Sequence, residues 1–245
     1  IKAQNCPDAP ITFHARDILT DELPNVRADV LVCELLGNFG IDENMIEVLS
    51  VARKRLLKPG GQIIPQDMQL RMAPVQCTQA YKEAVSWRRR EGGIDFSALQ
   101  NRAHHCVYHL SSEWVRALAA PGVLSHLEFA NVERLEKHSS LNFEFDRAGT
   151  LHGIAGWFRA TLAPGVVLNT GPRKPPTHWG QVFFPIGEPV KVRAGGSLHV
   201  HFSERIVGSE VRWRWKGTIR PAGGNAALTS FNFHAAREFS ELLDV

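Results

Sequence analysis

Apolar and polar positions follow two different rhythms along this chain. In roughly the first quarter, short apolar runs alternate with a one-faced helix. Ile11-Thr12-Phe13-His14-Ala15 reads as a short strand ending at Arg16-Asp17, and Ala28 to Cys33 as a second. The near-continuous apolar run of the second suits the centre of a parallel sheet. Ile46, Leu49, Ala52 and Leu56 then recur every three or four residues, which predicts a helix. Arg53, Lys54, Arg55 and Lys58 gather near its C-terminal end, where cations oppose the helix dipole. Pro59-Gly60-Gly61 is expected to stop the helix, and Gln62 to Ile64 to form the next strand. This is the cadence of a βαβ unit, half of a doubly wound Rossmann-like sheet.

After Pro65 the period becomes two. Apolar and polar residues alternate at Leu70 and Met72, over Leu141 to Asp146, Val190 to Arg193, Leu198 to Phe202 and Val211 to Lys216. With Gly and Pro punctuation, that pattern predicts an antiparallel β-barrel or sandwich with one wet face. Trp213 and Trp215 are expected to point inward and the neighbouring arginines outward. Tyr81, Ala84 and Val85 predict a short helix ended by Gly92-Gly93. The stretch from about 94 to 127 has apolar groups without a partner in either sheet, so it reads as a projecting helical arm suited to oligomer contact. The expected organisation is an α/β unit over 1–65 and a β-barrel over 66–245.

Composition alters this picture little. The chain has 245 residues, 44% hydrophobic and 22% charged, with a net charge of +3, too mild for a dedicated nucleic-acid binder. No apolar run approaches the roughly 20 residues of a membrane helix. No signal-peptide pattern or initiator Met opens the sequence, so it is expected to start inside a longer product. Cys6, Cys33, Cys77 and Cys106 are scattered without a CxxC pair, which favours a reducing compartment over a disulfide framework. His104, His105 and His109 have helical spacing but no acid beside them; a polar face is favoured over a metal site, and no metal is expected.

The chemically informative segment runs from Cys33 to Met45. Glu34 ends an apolar strand and Glu43 follows nine residues later, across a turn containing Gly37 and Gly40, at the start of the helix. Ligands of open α/β sheets bind at the carboxyl ends of the strands. Two carboxylates there make an anionic cleft for a cation. The plainer alternatives are an acid answering the helix dipole at Glu43 and a paired charge at Glu34; the residues alone leave both open.

Glu34-Leu35-Leu36-Gly37 with Glu43 resembles the double-glutamate loop of the protein arginine methyltransferases. The similarity continues in order. Leu57-Lys58-Pro59-Gly60-Gly61-Gln62-Ile63-Ile64-Pro65 is similar to the passage leaving the cofactor domain, Gly153-Ile154-Ala155-Gly156-Trp157-Phe158 to a barrel strand, and Thr177-His178-Trp179 to the family's threonine-histidine-tryptophan loop. The resemblance implies methyl transfer from S-adenosylmethionine, leaving S-adenosylhomocysteine, to the guanidinium of arginine in flexible protein segments such as glycine-arginine-rich stretches or histone tails. It implies Glu34 and Glu43 as the catalytic clamp, with His178, Trp179 and Gln181 also at the substrate. Asp17, Ile18, Glu34 and Met45 would face the cofactor. It further implies a homodimer in the cytoplasm or nucleus, with neither membrane nor direct nucleic-acid contact.

The family's glycine-rich cofactor turn has no counterpart, because no strand here is followed by GxGxG. The expectation is therefore the second half of the cofactor domain plus the barrel, with weak cofactor binding by this chain alone and an exposed sheet edge. Leu35-Leu36-Gly37 resembles the symmetric-dimethylating branch and Thr177-His178-Trp179 the asymmetric and monomethylating ones, a mixture that points to monomethylation. Two competing readings are an inactive regulatory subunit supporting an active partner, and a carbohydrate-binding β-sandwich. The latter leaves the strand-turn-helix around Glu34 unexplained.

Overall fold

The computed structural model describes residues 10–84, 90–110, 115–134, 138–207, 210–224 and 226–235. The βαβ unit is present. Strand β1 (Ala28–Val32) leads through the acidic turn into helix α1 (Met45–Leu56), and β2 (Leu57–Ile64) returns parallel to β1. Two details differ from the sequence expectation. Pro59-Gly60-Gly61 does not stop the helix: α1 ends at Leu56 and β2 already runs through these residues. Ala28 faces Leu57 while Val30 faces Gln62, so the intervening part of β2 bulges, with Gly60 at φ 75°. Ile11–Ala15 is not a strand, and Ile11 and Phe13 are exposed. Apolar residues alone do not make a strand without a neighbour to pair with.

One face of the parallel pair is bare, with Val30 45% and Val32 70% exposed. Helix α1 is pinned to the second unit at its other end. Arg53 Nη1 donates to the carbonyls of Phe129 at 2.7 Å and Val132 at 3.1 Å, and Nη2 pairs with Glu133 at 2.5 Å. Ser50 donates to the same carboxylate at 2.7 Å and Lys54 also pairs with it. Those donors hold the Glu133 carboxyl down to about 2.

Beyond the cis Ile64–Pro65 peptide the chain is antiparallel sheet. It continues as β3 (Asp67–Gln76), helix α2 (Thr78–Ala84), the short hairpin β4 (Arg90–Glu91) and β5 (Ile94–Asp95), a 3-10 turn (Ser97–Leu99) and helix α3 (Gln100–Ala103). Then come β6 (Tyr108–Leu110), β7 (Arg116–Ala117), β8 (Gly122–Glu128), β9 (Ser139–Glu144), β10 (Gly149–Ala163), β11 (Val166–Asn169), β12 (Gln181–Val192), β13 (Ser197–Val207), β14 (Glu210–Arg220) and β15 (Thr229–His234). One sheet has the order β6-β12-β10-β3-β7, with β11 on β10 and β8 on β3; a second has the order β15-β14-β13-β9. Within the expected arm, helix is confined to Ser97–Ala103 among the described residues, with short strands and turns elsewhere.

Period-two patterning explains the core. Trp213 and Trp215 are buried on β14 while Arg214 and Lys216 face solvent. Successive residues of β10 serve opposite faces: Phe158 joins the main cluster with Phe184 and Trp215, and Trp157 a smaller one with Ala73, Val75 and Phe183.

Candidate active site

The acidic turn is built so that Leu36, Phe39 and Ile41 face inward while Glu34 and Glu43 face outward. Cys33 extends the β1 ladder, its N–H donating to the Ile64 carbonyl at 2.9 Å. Glu34 then emerges exposed at the carboxyl end of the strand. Leu36, Phe39 and Ile41 are buried, Asn38 and Glu43 exposed. A tight bend closes on itself, with Gly40 N–H donating to Gly37 O at 2.9 Å. Glycine is required at both corners. A Cβ on Gly37 would lie 2.5 Å from the Asp42 Cβ; Gly40 has φ 84° and its Cβ would lie 2.5 Å from the Met68 sulfur. Asn44, at φ 56°, turns the chain into α1, and its Nδ2 donates to Glu47 at 2.7 Å. Glu43 therefore stands just before the helix rather than inside its first turn.

Two tryptophans of the barrel hold this bend from outside. Trp179 Nε1 donates to the Leu36 carbonyl at 2.6 Å, and Trp213 Nε1 to Asp42 Oδ1 at 3.1 Å. The other Asp42 oxygen accepts the Phe39 N–H at 2.6 Å. Phe39 meets Trp213 edge-on at 5.1 Å and Phe184 at 5.6 Å. Burial pushes the Asp42 carboxyl above its ordinary range, against the pull of those two donors, and the charge of Glu43 adds to the rise. Burial likewise raises the Cys33 thiol, with the charge of Glu34 contributing.

His178 is exposed and its ring lies 3.8 Å from that of Trp179, whose indole also meets Phe158 edge-on at 5.8 Å. The turn beneath them closes through Gly180 N–H to Thr177 O at 3.2 Å. Glu34 and Glu43 thus share one bend, to which Trp179 is tied directly and His178 through Trp179. Gln181 is buried at the start of β12 and its amide donates to the Thr170 carbonyl. Met45 is fully buried in the main core. Asp17 lies apart, exposed in a turn where its Oδ1 accepts the Leu19 N–H at 2.8 Å; Ile18 beside it is half-buried. A cavity of about 470 Å³ opens behind the bend, lined by Phe39, Asp42, His109 and Trp213. Among the described residues no group of three or more His, Cys, Asp or Glu is arranged to hold a metal.

Sequence reasoning missed Asp42, Phe39 and Trp213 as the framework of the bend. The signal for Trp213 was present in its inward alternation; nothing local named its partner.

The family model described as the arginine methyltransferase oligomerization subdomain matches residues 67–212. This chain belongs to the protein arginine methyltransferase family. Among similar proteins, probable protein arginine N-methyltransferase 6 of Arabidopsis thaliana is 28% identical over 240 residues, covering 78% of this chain and 54% of its own. Protein arginine N-methyltransferase 2 of Homo sapiens is 30% identical over 199 residues, covering 76% of this chain and 46% of its own. The chain thus spans about half the length of these methyltransferases. Among solved structures, the Trypanosoma brucei PRMT1 enzyme-prozyme heterotetrameric complex with AdoHcy is similar in fold. Its TM-score is 0.76 at 19% identity, over 89% of this chain and 71% of that one. The fold expected from the sequence, a Rossmann-like half followed by a β-barrel, is that of this family. Among the described residues no helix is long and apolar enough to cross a membrane.

Proposed function

We propose that this chain forms the substrate-gripping part of a protein-arginine N-methyltransferase, with Glu34 and Glu43 as the clamp for the guanidinium. The observation that carries the reading is the bend itself. Both glutamates are exposed, while Leu36, Phe39 and Ile41 between them are buried and the bend is tied to Trp179 and Trp213 of the barrel, so the charges are presented on a supported backbone. Arginine is effectively always protonated and hence a poor nucleophile. Carboxylates gripping two sides of the guanidinium draw its positive charge towards themselves and leave more electron density on the remaining nitrogen. As the new N–C bond forms, that nitrogen becomes acidic, and either carboxylate can take its proton.

S-adenosylmethionine, when bound, supplies a methyl group already activated on a sulfonium. The exposed carboxylate of Asp17 suits the hydroxyls of such a ligand and the half-buried side chain of Ile18 its apolar ring, and these residues would hold it. Met45 supports the bend from the core side. His178 and Trp179 border the clamp, and self-association uses the barrel with its 94–127 insertion. Monomethylation is the product we assign.

The test is Glu34→Gln in the full-length polypeptide, assayed on a glycine-arginine-rich peptide. Methyl transfer is expected to fall about 100-fold or more, because one charge facing the reacting cation is lost, with cofactor affinity unchanged within a few-fold. Turnover comparable to wild type would overturn the clamp, and absence of turnover by the wild type itself would favour a regulatory subunit.

A further inference from the structure

A second concavity lies away from the acidic bend and shares no residue with it. It has a volume of about 490 Å³, and its walls carry five cationic side chains (Arg71, Arg116, Arg147, Arg173 and Lys174) and a single carboxylate, Asp146. They converge from four separate segments: β3, β7, the turn between β9 and β10, and the turn after β11. Asp146 is already engaged by Arg147, whose Nε donates to it at 2.5 Å and whose Nη2 donates at 3.3 Å. Among the described residues Arg71, Arg116, Arg173 and Lys174 have no carboxylate partner, and the buried Nε of Arg71 has no acceptor. Cations are normally dispersed over a surface or answered by acids, and a buried N–H without an acceptor is costly.

We propose that this cavity binds a small molecule carrying several phosphate groups. The volume falls within the range of small-molecule sites rather than of an open peptide groove. Guanidinium forks match phosphate oxygens bidentately, and the excess of cations over the one engaged acid calls for a ligand with more than one negative charge. Arg173 holds φ 64°, a conformation that side chains other than glycine rarely adopt and that clusters at ligand clamps. Its neighbour Lys174 closes the same turn, with its N–H donating to Gly171 O at 3.2 Å. Beneath the cavity lies the indole of Trp157. Because Phe158, the next residue of β10, meets Trp179 on the opposite face, the sheet separates this site from the arginine clamp.

The experiment is calorimetric titration of the full-length protein with inorganic tripolyphosphate and with orthophosphate. Tripolyphosphate is expected to bind at least about tenfold tighter, and the exposed-turn double variant Arg173→Ser/Lys174→Ser to weaken it about tenfold or more. Arg71→Gln tests the deeper contact; if that variant does not fold, the double variant decides. Vesicles of phosphatidylcholine with and without a bisphosphorylated phosphoinositide separate the sources. Selective sedimentation with the phosphoinositide assigns the site to a lipid headgroup, and its absence assigns it to a soluble ligand. Equal affinity for the two phosphates, unchanged binding by the folded double variant, or tighter binding of a polyglutamate peptide would each overturn the proposal.

Discussion

The indole N–H of Trp179 donates to the carbonyl of Leu36 at 2.6 Å, joining residues 143 positions apart. One belongs to the loop entering the barrel strand β12, the other to the bend that carries Glu34 and Glu43. The barrel and the acidic turn are therefore held in one frame by a hydrogen bond to a half-sheltered backbone group. Trp179→Phe keeps an aromatic ring beside Phe158 but leaves that carbonyl without its donor. The expected cost is about 1–3 kcal/mol of unfolding free energy, read from the denaturation midpoint. A larger fractional loss is expected in kcat/KM for an arginine peptide, because the clamp loosens before the barrel does. Unaltered catalysis alongside lowered stability would show that the indole only packs.

In the proposed clamp Glu43 would act through reach as well as charge. Glu43→Asp withdraws its carboxylate by one methylene while keeping the charge, and the exposed side chain contributes little to packing. Stability is expected to stay within about 0.5 kcal/mol of wild type. The ratio of monomethyl- to dimethylarginine in a product peptide, measured by mass spectrometry, is expected to change. A ratio constant across several peptides would mean that the position of this carboxylate does not control which nitrogen reacts.

What could be read from the sequence follows from which interactions are local. The β1–α1–β2 unit and the alternating barrel strands were legible because burial imposes its own period, as at Trp213 and Trp215. Glu34 and Glu43 were legible because a strand tip and a helix start bracket them. Asp42 was not, since its role comes from Trp213, a partner fixed only by tertiary packing. The strand expected at Ile11–Ala15 failed for the converse reason: its pattern was adequate, but among the described residues no strand is formed there. At β2 the turn residues Pro59-Gly60-Gly61 were recognised, but their bulge inside a ladder depends on the register with β1, which no local signal encodes.

Arg53 joins the two units at the far end of α1. It is only 14% exposed and its guanidinium reaches two carbonyls and a carboxylate at once. Lysine keeps the charge but lacks the planar fork, so Arg53→Lys leaves at least one carbonyl unserved. A loss of about 1–3 kcal/mol is expected in urea unfolding. Glu133→Gln is expected to matter much less, since that carboxylate is half-exposed and screened by solvent. Equal losses in the two variants would locate the attachment in the ion pair rather than in the carbonyl contacts.

Asp42 gives the acidic bend a pH dependence with a definite sign. Its carboxyl titrates above its ordinary value near 3.8 because burial outweighs the two donors from Phe39 and Trp213. A folded-state value raised in this way means that the native protein holds the proton more tightly than the unfolded chain. The associated stability is complete below about 3.8 and is lost as pH rises through the higher folded value. Asp42→Asn removes the titration and places an amide N–H against one of the two donors, so it is destabilising throughout. The gap between wild type and variant is expected to be widest below 3.8 and to narrow as pH climbs through that window. Glu43→Gln removes a neighbouring negative charge, lowers the Asp42 value and moves the narrowing to lower pH. Urea titrations across the acid range measure both effects. A gap that widens with rising pH would mean that the hydrogen bonds, not burial, set the charge state of Asp42, and that the bend carries a third anion beside Glu34 and Glu43.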